Sequence, residues 1–174
     1  MLENRRDLEE VLFSECEVKL AKKMIDTLRT TMEFLYYLME HRNKITLSMI
    51  LISSEGLPFE SLLKKWKRNT DILFHIDGNI YVLICQSTDE EGARNFSKIL
   101  LSNTHIHGGT NTYCVVSELN LRDYSIQDII FMTVEQYMAI NEDNCTNQVN
   151  FTQFENEIKP ISDLEEQKIY IPEA

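Results

Sequence analysis

The chain lacks most of the signatures that announce a chemistry. Its four cysteines, Cys16, Cys85, Cys114 and Cys145, are far apart with no CxxC pair, which argues against a zinc site or a disulfide framework. No G-x-S-x-G, Walker loop, H-E-x-x-H or Rossmann fingerprint is present, so the commonest hydrolase and nucleotide motifs are excluded as read from sequence. No apolar run nears the ~20 residues that span a bilayer. The opening MLENRRDLEE has no apolar core of the kind a secretory signal needs. Membrane insertion is therefore not expected, and a reducing cytoplasm is the expected location. Basic residues are scarce: 17 Lys and Arg stand against 28 Asp and Glu, a net charge of −11. That balance disfavours a nucleic-acid partner. Part of the excess sits in the stretch from Glu142, where eight acids face only Lys159 and Lys168.

What is present fits one ordinary domain with extensions, since 174 residues can bury a real core. Residues 3–41 contain neither Gly nor Pro. Apolar residues recur seven apart at Val11, Val18, Ile25, Met32 and Met39, with a second seam through Ala21, Leu28 and Leu35. That spacing predicts a long helix. It either packs on its own domain or forms a parallel coiled coil that dimerises the chain. Ser14 interrupts one seam, and Thr30-Thr31 is a candidate break. The run ITLSMILI (45–52) predicts a buried strand, followed by a short amphipathic helix from Pro58 to about Arg68. Two strands, 72–76 and 80–86, form a hairpin around Asp77-Gly78. Thr88 and Glu91 fit a capping box opening a helix to about Leu101. A strand at 112–117 and a helix capped by Ser125 follow, and a short strand is possible around 149–151.

The order β-α-β-β-α-β-α predicts an α+β domain: a ferredoxin-like or palm-like antiparallel sheet with helices on one face. The expected division is a helix and dimerisation segment at 1–43, the domain at 44–144, and an acidic tail at 145–174. His105 and His107 would share a face on a strand, but no third metal ligand is evident.

The hairpin resembles a known family. Diguanylate cyclases of the GGDEF type carry R-x-x-D, then R-x-G-G-[DE]-E-F. Here Arg68-Asn69-Thr70-Asp71 stands in the first place and Asp77-Gly78-Asn79-Ile80-Tyr81 in that of the signature five. Asp26-Thr27-Leu28 is similar to the start of the family's entry motif. Tyr137-Met138-Ala139 is similar to its L-Y-x-A-K helix, with Ile140 in place of Lys.

Cyclisation of GTP needs divalent ions held by carboxylates. Asn79 and Ile80 stand where the family has two acids, and the first strand ends in Ile52-Ser53-Ser54. Asp77 replaces a Gly that lets phosphate approach the backbone. The family's F-K-x-x-N-D and G-D elements have no counterpart in 55–67. The resemblance thus implies a degenerate domain with no catalytic residues, no metal site and no cofactor. It also implies an inhibitory-site pair, Arg68 and Asp71, that would bind cyclic di-GMP: an Arg fork for phosphate or guanine and a carboxylate for guanine N–H donors. Arg94 and Lys98 are the expected second basic groups. Two readings follow, a cyclic di-GMP receptor, or a dimerising or protein-docking module with no small-molecule ligand.

Overall fold

A computed structural model describes residues 15–41, 46–119 and 123–154. The elements are α1 (Glu15–His41), β1 (Leu47–Glu55), α2 (Phe59–Trp66), β2 (Ile72–Asp77), β3 (Ile80–Gln86), α3 (Glu90–Ile106), β4 (Thr110–Glu118), α4 (Ile126–Glu142) and β5 (Val149–Phe151). The α+β order predicted from sequence is present.

The strands lie in the order β2-β3-β1-β4-β5. All neighbours run antiparallel except β4 and β5, which are parallel. The first four strands have the ferredoxin-like arrangement. β1 lies at the centre, with Ile50 opposite both Leu83 and Val116. Its residues from Leu47 to Ser54 are all buried, which explains why this strand reads as an unbroken apolar run: both faces are covered.

The helices occupy both faces of the sheet, whereas the sequence suggested one. Ile50 and Ile52 pack with Leu83, Cys85, Cys114 and Val116 beneath Phe59 and Leu63 of α2 and Leu100 of α3. Met49 and Leu51 face the other way, with Val82, Ile84 and Val115, and are covered by α1 and α4. The split β-α-β units account for the first layer. The flanking helices add the second, because an apolar central strand leaves no face that can be left to water.

This resolves the use of the heptad pattern. Ala21, Met24, Leu28 and Met32 are fully buried against the sheet and α4, and Leu35 nearly so. Most of the described seam of α1 is therefore core of the domain that follows, while Val18 is 36% exposed. The helix runs unbroken through Thr30-Thr31. A threonine costs a helix only about 0.5 kcal/mol, less than the burial of either flanking Leu28 or Met32 supplies. Val11 and Ser14 lie outside the described residues, as does 155–174, most of the acidic stretch. Residues 149–151 form a true edge strand, and Thr152 is buried beside Ser117, so the sheet continues past 144.

Three local details differ from expectation. The N-cap of α3 is Asp89, whose carboxylate accepts from Gly92 N at 2.8 Å. Thr88 is turned elsewhere, as described below. Helix α3 also continues past Leu101 to Ile106, so His105 is helical and His107 caps its end. His107 lies against the Trp66 ring, 5.2 Å between centroids. Among the described residues no group of three His, Cys, Asp or Glu is placed to hold a metal ion, and no helix is long and apolar enough to cross a membrane.

Candidate functional site

The hairpin turns at Gly78, with φ of +52°, a left-handed value that glycine adopts at little cost. That turn sets Asn79 beside the end of β1. Asn79 Nδ2 donates to the Ser54 carbonyl at 2.9 Å. The two serines at the end of β1 are turned inward. Ser53 Oγ bonds Tyr137 OH at 2.7 Å, and Ser54 Oγ bonds Thr112 Oγ1 at 2.8 Å. Burial raises the Tyr137 hydroxyl above its ordinary pKa, partly offset by that bond to Ser53. Ile80 packs at the margin of the core that α1 and α4 cover.

A cleft of about 580 Å³ opens between the hairpin tip, the end of β1 and the start of α2. The carboxylates that line it, Glu55 and Glu60, and the nearby Asp77 are dispersed. Glu55 accepts from Asn111 Nδ2 at 3.1 Å. Glu60 pairs with Lys64 at 3.3 Å, one helical turn on. Asp77 leans away to Lys23 of α1, at 3.0 Å, and the hydrogen bond from that ammonium holds its pKa below the usual carboxylate value. Hard divalent cations need several converging oxygens. Here neutral Asn79 and Ser54 satisfy one another at the hairpin–β1 junction.

The Arg68–Asp71 pair lies at the other end of β2. The two side chains face each other. Arg68 Nε donates to both Asp71 oxygens at 3.1 and 3.0 Å, Nη2 donates to Oδ1 at 2.8 Å, and the Arg68 backbone N–H donates to Oδ2 at 2.9 Å. Arg68 Nη2 also donates to Thr88 Oγ1 at 2.7 Å, and Thr88 donates on to the Gln86 carbonyl at 2.8 Å. The guanidinium lies over the Phe96 ring at 5.4 Å. The Asp71 side chain is fully buried, while that of Arg68 is 46% exposed. The bond to Asp71 raises the Arg68 pKa further. The pair thus ties the α2–β2 junction to the end of β3 and the face of α3. The outer side of Arg68 lines a polar cleft of about 400 Å³ with Thr46, Thr88 and Asp89.

Arg94 and Lys98 are elsewhere. They line a groove of about 570 Å³ between α3 and β5, with Ser102, His105 and Gln148. Arg94 stacks on Phe151 at 4.4 Å and approaches Glu90 only to 3.8 Å. The four basic and acidic residues singled out from sequence therefore fall in two places. Sequence reading missed the Thr88 bridge because Thr88-Asp89 offers two adjacent cap residues. It missed Lys23–Asp77 because nothing local links residues so far apart.

No protein-family model and no curated protein sequence matches this chain. Among solved structures, it is similar to the active GGEEF domain of a diguanylate cyclase from Vibrio cholerae, with a TM-score of 0.50 and 14% identity over 68% of this chain and 90% of that one. The likeness lies in the backbone arrangement: the chain has a GGDEF-like fold.

Proposed function

We propose that this GGDEF-like domain is non-catalytic and acts by recognition, as a dimerising or protein-docking module. One observation carries the reading: the hairpin–β1 junction is closed by the Asn79–Ser54 hydrogen bond, with its nearby acids paired separately to Asn111, Lys64 and Lys23. Metal-assisted attack of a ribose hydroxyl on a nucleotide phosphate needs a charged oxygen set there. Incubation with GTP and magnesium, followed for product by chromatography, tests this. Turnover would overturn it. The docking half is supported by the outer face of α1, where Phe34 and Tyr37 are 60% and 55% exposed. Aromatic residues of that kind are typical interface anchors. A homodimer built on this face would sediment as a monomer after Phe34→Ser.

A second reading, binding of cyclic di-GMP, is favoured by the half-exposed Arg68 in its polar cleft. It requires the buried Asp71 to leave its bidentate partner Arg68, and the Asp89 carboxylate in the same cleft would repel phosphate. Calorimetry with cyclic di-GMP, beside Arg68→Ala, decides it. Absence of heat at ~100 μM ligand, enough to saturate a micromolar site, would retire it.

A further inference from the structure

We infer that the groove between α3 and β5 is a docking surface for an acidic peptide in extended conformation, added alongside the outer edge of β5, the last of the described strands. The inference rests on the recognition reading above and adds a surface and a partner chemistry to it.

The groove is a basic exception on an acidic chain. The net charge is −11, yet Arg94, Lys98 and His105 lie along one side of α3 and line one groove of about 570 Å³. The side chains of Lys98 and His105 make no hydrogen bond or ion pair with another described residue, although the His105 carbonyl accepts from Gly108 N. Arg94 is held flat by the Phe151 ring at 4.4 Å, and its carboxylate neighbour Glu90 stands at 3.8 Å. Stacking fixes the guanidinium plane and leaves most of its N–H edge for another acceptor.

Spacing chooses among anions. Arg94 and Lys98 are four residues apart on a helix, a rise of about 6 Å, and His105 is about 10 Å further on. One phosphate cannot touch all three. Carboxylates on alternate residues of an extended chain repeat at about 6.7 Å, which matches the first interval. The backbone has a template beside it. β5 is a three-residue strand at the end of the sheet, with β4 as its partner among the described strands. A strand added to such an edge gains main-chain hydrogen bonds, and its alternate side chains point to the helix-covered face. The apolar floor, Leu101 and Val149, suits the aliphatic stems of glutamate.

Binding of a fluorescein-labelled octapeptide of alternating glutamate and threonine to the full chain, measured by anisotropy at low salt, tests this. The glutamine-for-glutamate peptide is the control. The expected result is saturable binding of the glutamate peptide, weakened about tenfold by Lys98→Glu and by raised salt. Protection of the Val149 and Phe151 amides from hydrogen exchange should accompany it. Lys98 has no described partner, so this variant keeps its fold, which a thermal melt checks; Arg94→Glu adds the stacked group. Equal binding of the glutamine peptide, indifference to Lys98→Glu, or no binding at millimolar peptide would each overturn the inference. So would full displacement by inorganic phosphate at matched ionic strength, which would mark a small-anion site. None of these outcomes bears on the GTP incubation, which tests the non-catalytic reading by itself.

Discussion

Removing Arg68 should cost more than removing the charge of Asp71, although the two are partners. The reason is where each side chain would be left. Asp71 is fully buried and Arg68 is 46% exposed. In Arg68→Ala the buried carboxylate loses its three guanidinium contacts and keeps the backbone N–H at position 68 and the neighbouring Cys85 thiol. Breaking a buried pair typically costs 3–5 kcal/mol; the half-solvated arginine lowers this to about 2–4 kcal/mol, or roughly 5–15 °C in Tm for a chain of this size. In Asp71→Asn the guanidinium retains Thr88, the Phe96 face and solvent, so about 1–2 kcal/mol is expected. The double variant should recover part of the loss from Arg68→Ala, a coupling that a double-mutant cycle in urea reads directly. If both single variants cost less than about 0.5 kcal/mol, the pair is a solvated surface contact and its description as an internal brace is wrong. If Asp71→Asn is the worse of the two, the burial argument fails.

Other outcomes follow from the same coordinates. Asp77, held below its ordinary pKa by Lys23, contributes stability that is present above the unfolded carboxylate value and lost as pH falls through the depressed one. The Tm gap between the native chain and Asp77→Asn should therefore be present at neutral pH, vanish in acid and shrink in salt. Leu28→Ala should destabilise the whole domain by about 2–5 kcal/mol in one cooperative denaturant transition; a change in oligomeric state without loss of stability would return α1 to a coiled coil. Cys85 and Cys114, buried with thiols pushed up to about 12, should resist Ellman's reagent in the native state, while exposed Cys16 reacts at once.

The element order was readable from sequence because its signals are local. Apolar runs, helical spacing, Ser125 as a cap and Gly78 at a turn each depend on neighbours a few residues away. Ser125 Oγ does accept from Asp128 N, at 3.0 Å. What could not be read was which surface a given apolar stripe meets. The seven-residue seam of α1 suits a partner helix or its own sheet equally well, and the choice depends on strands and a helix that come later in the chain. The site was legible to the same degree. That Asn79 and Ile80 stand at the hairpin tip is a fact of sequence. That Asn79 would close on Ser54, that Asp77 would reach Lys23, and that Arg94 would leave Arg68 for Phe151 are facts of tertiary placement.

Those placements share a physical logic. A cation site is costly to hold without its cation, since converging carboxylates repel one another. With an asparagine and two serines at this junction, each polar group is satisfied within the protein: Asn79 by the Ser54 carbonyl, Ser54 by Thr112, Ser53 by Tyr137. The same holds for Asp71, whose oxygens take four donor contacts from Arg68. A side chain satisfied in this way gains little from a ligand, because binding must first undo what is already made. Restoring carboxylates alone, as in Asn79→Asp with Ile80→Glu, should therefore fail to create magnesium-dependent turnover of GTP. It should instead destabilise the hairpin, because an aspartate at 79 can no longer donate to the Ser54 carbonyl and an ionised glutamate at 80 enters the apolar margin of the core. Lowered thermal stability with no product is the expected pair of results; product formation by that variant would show that the scaffold had kept its catalytic geometry intact.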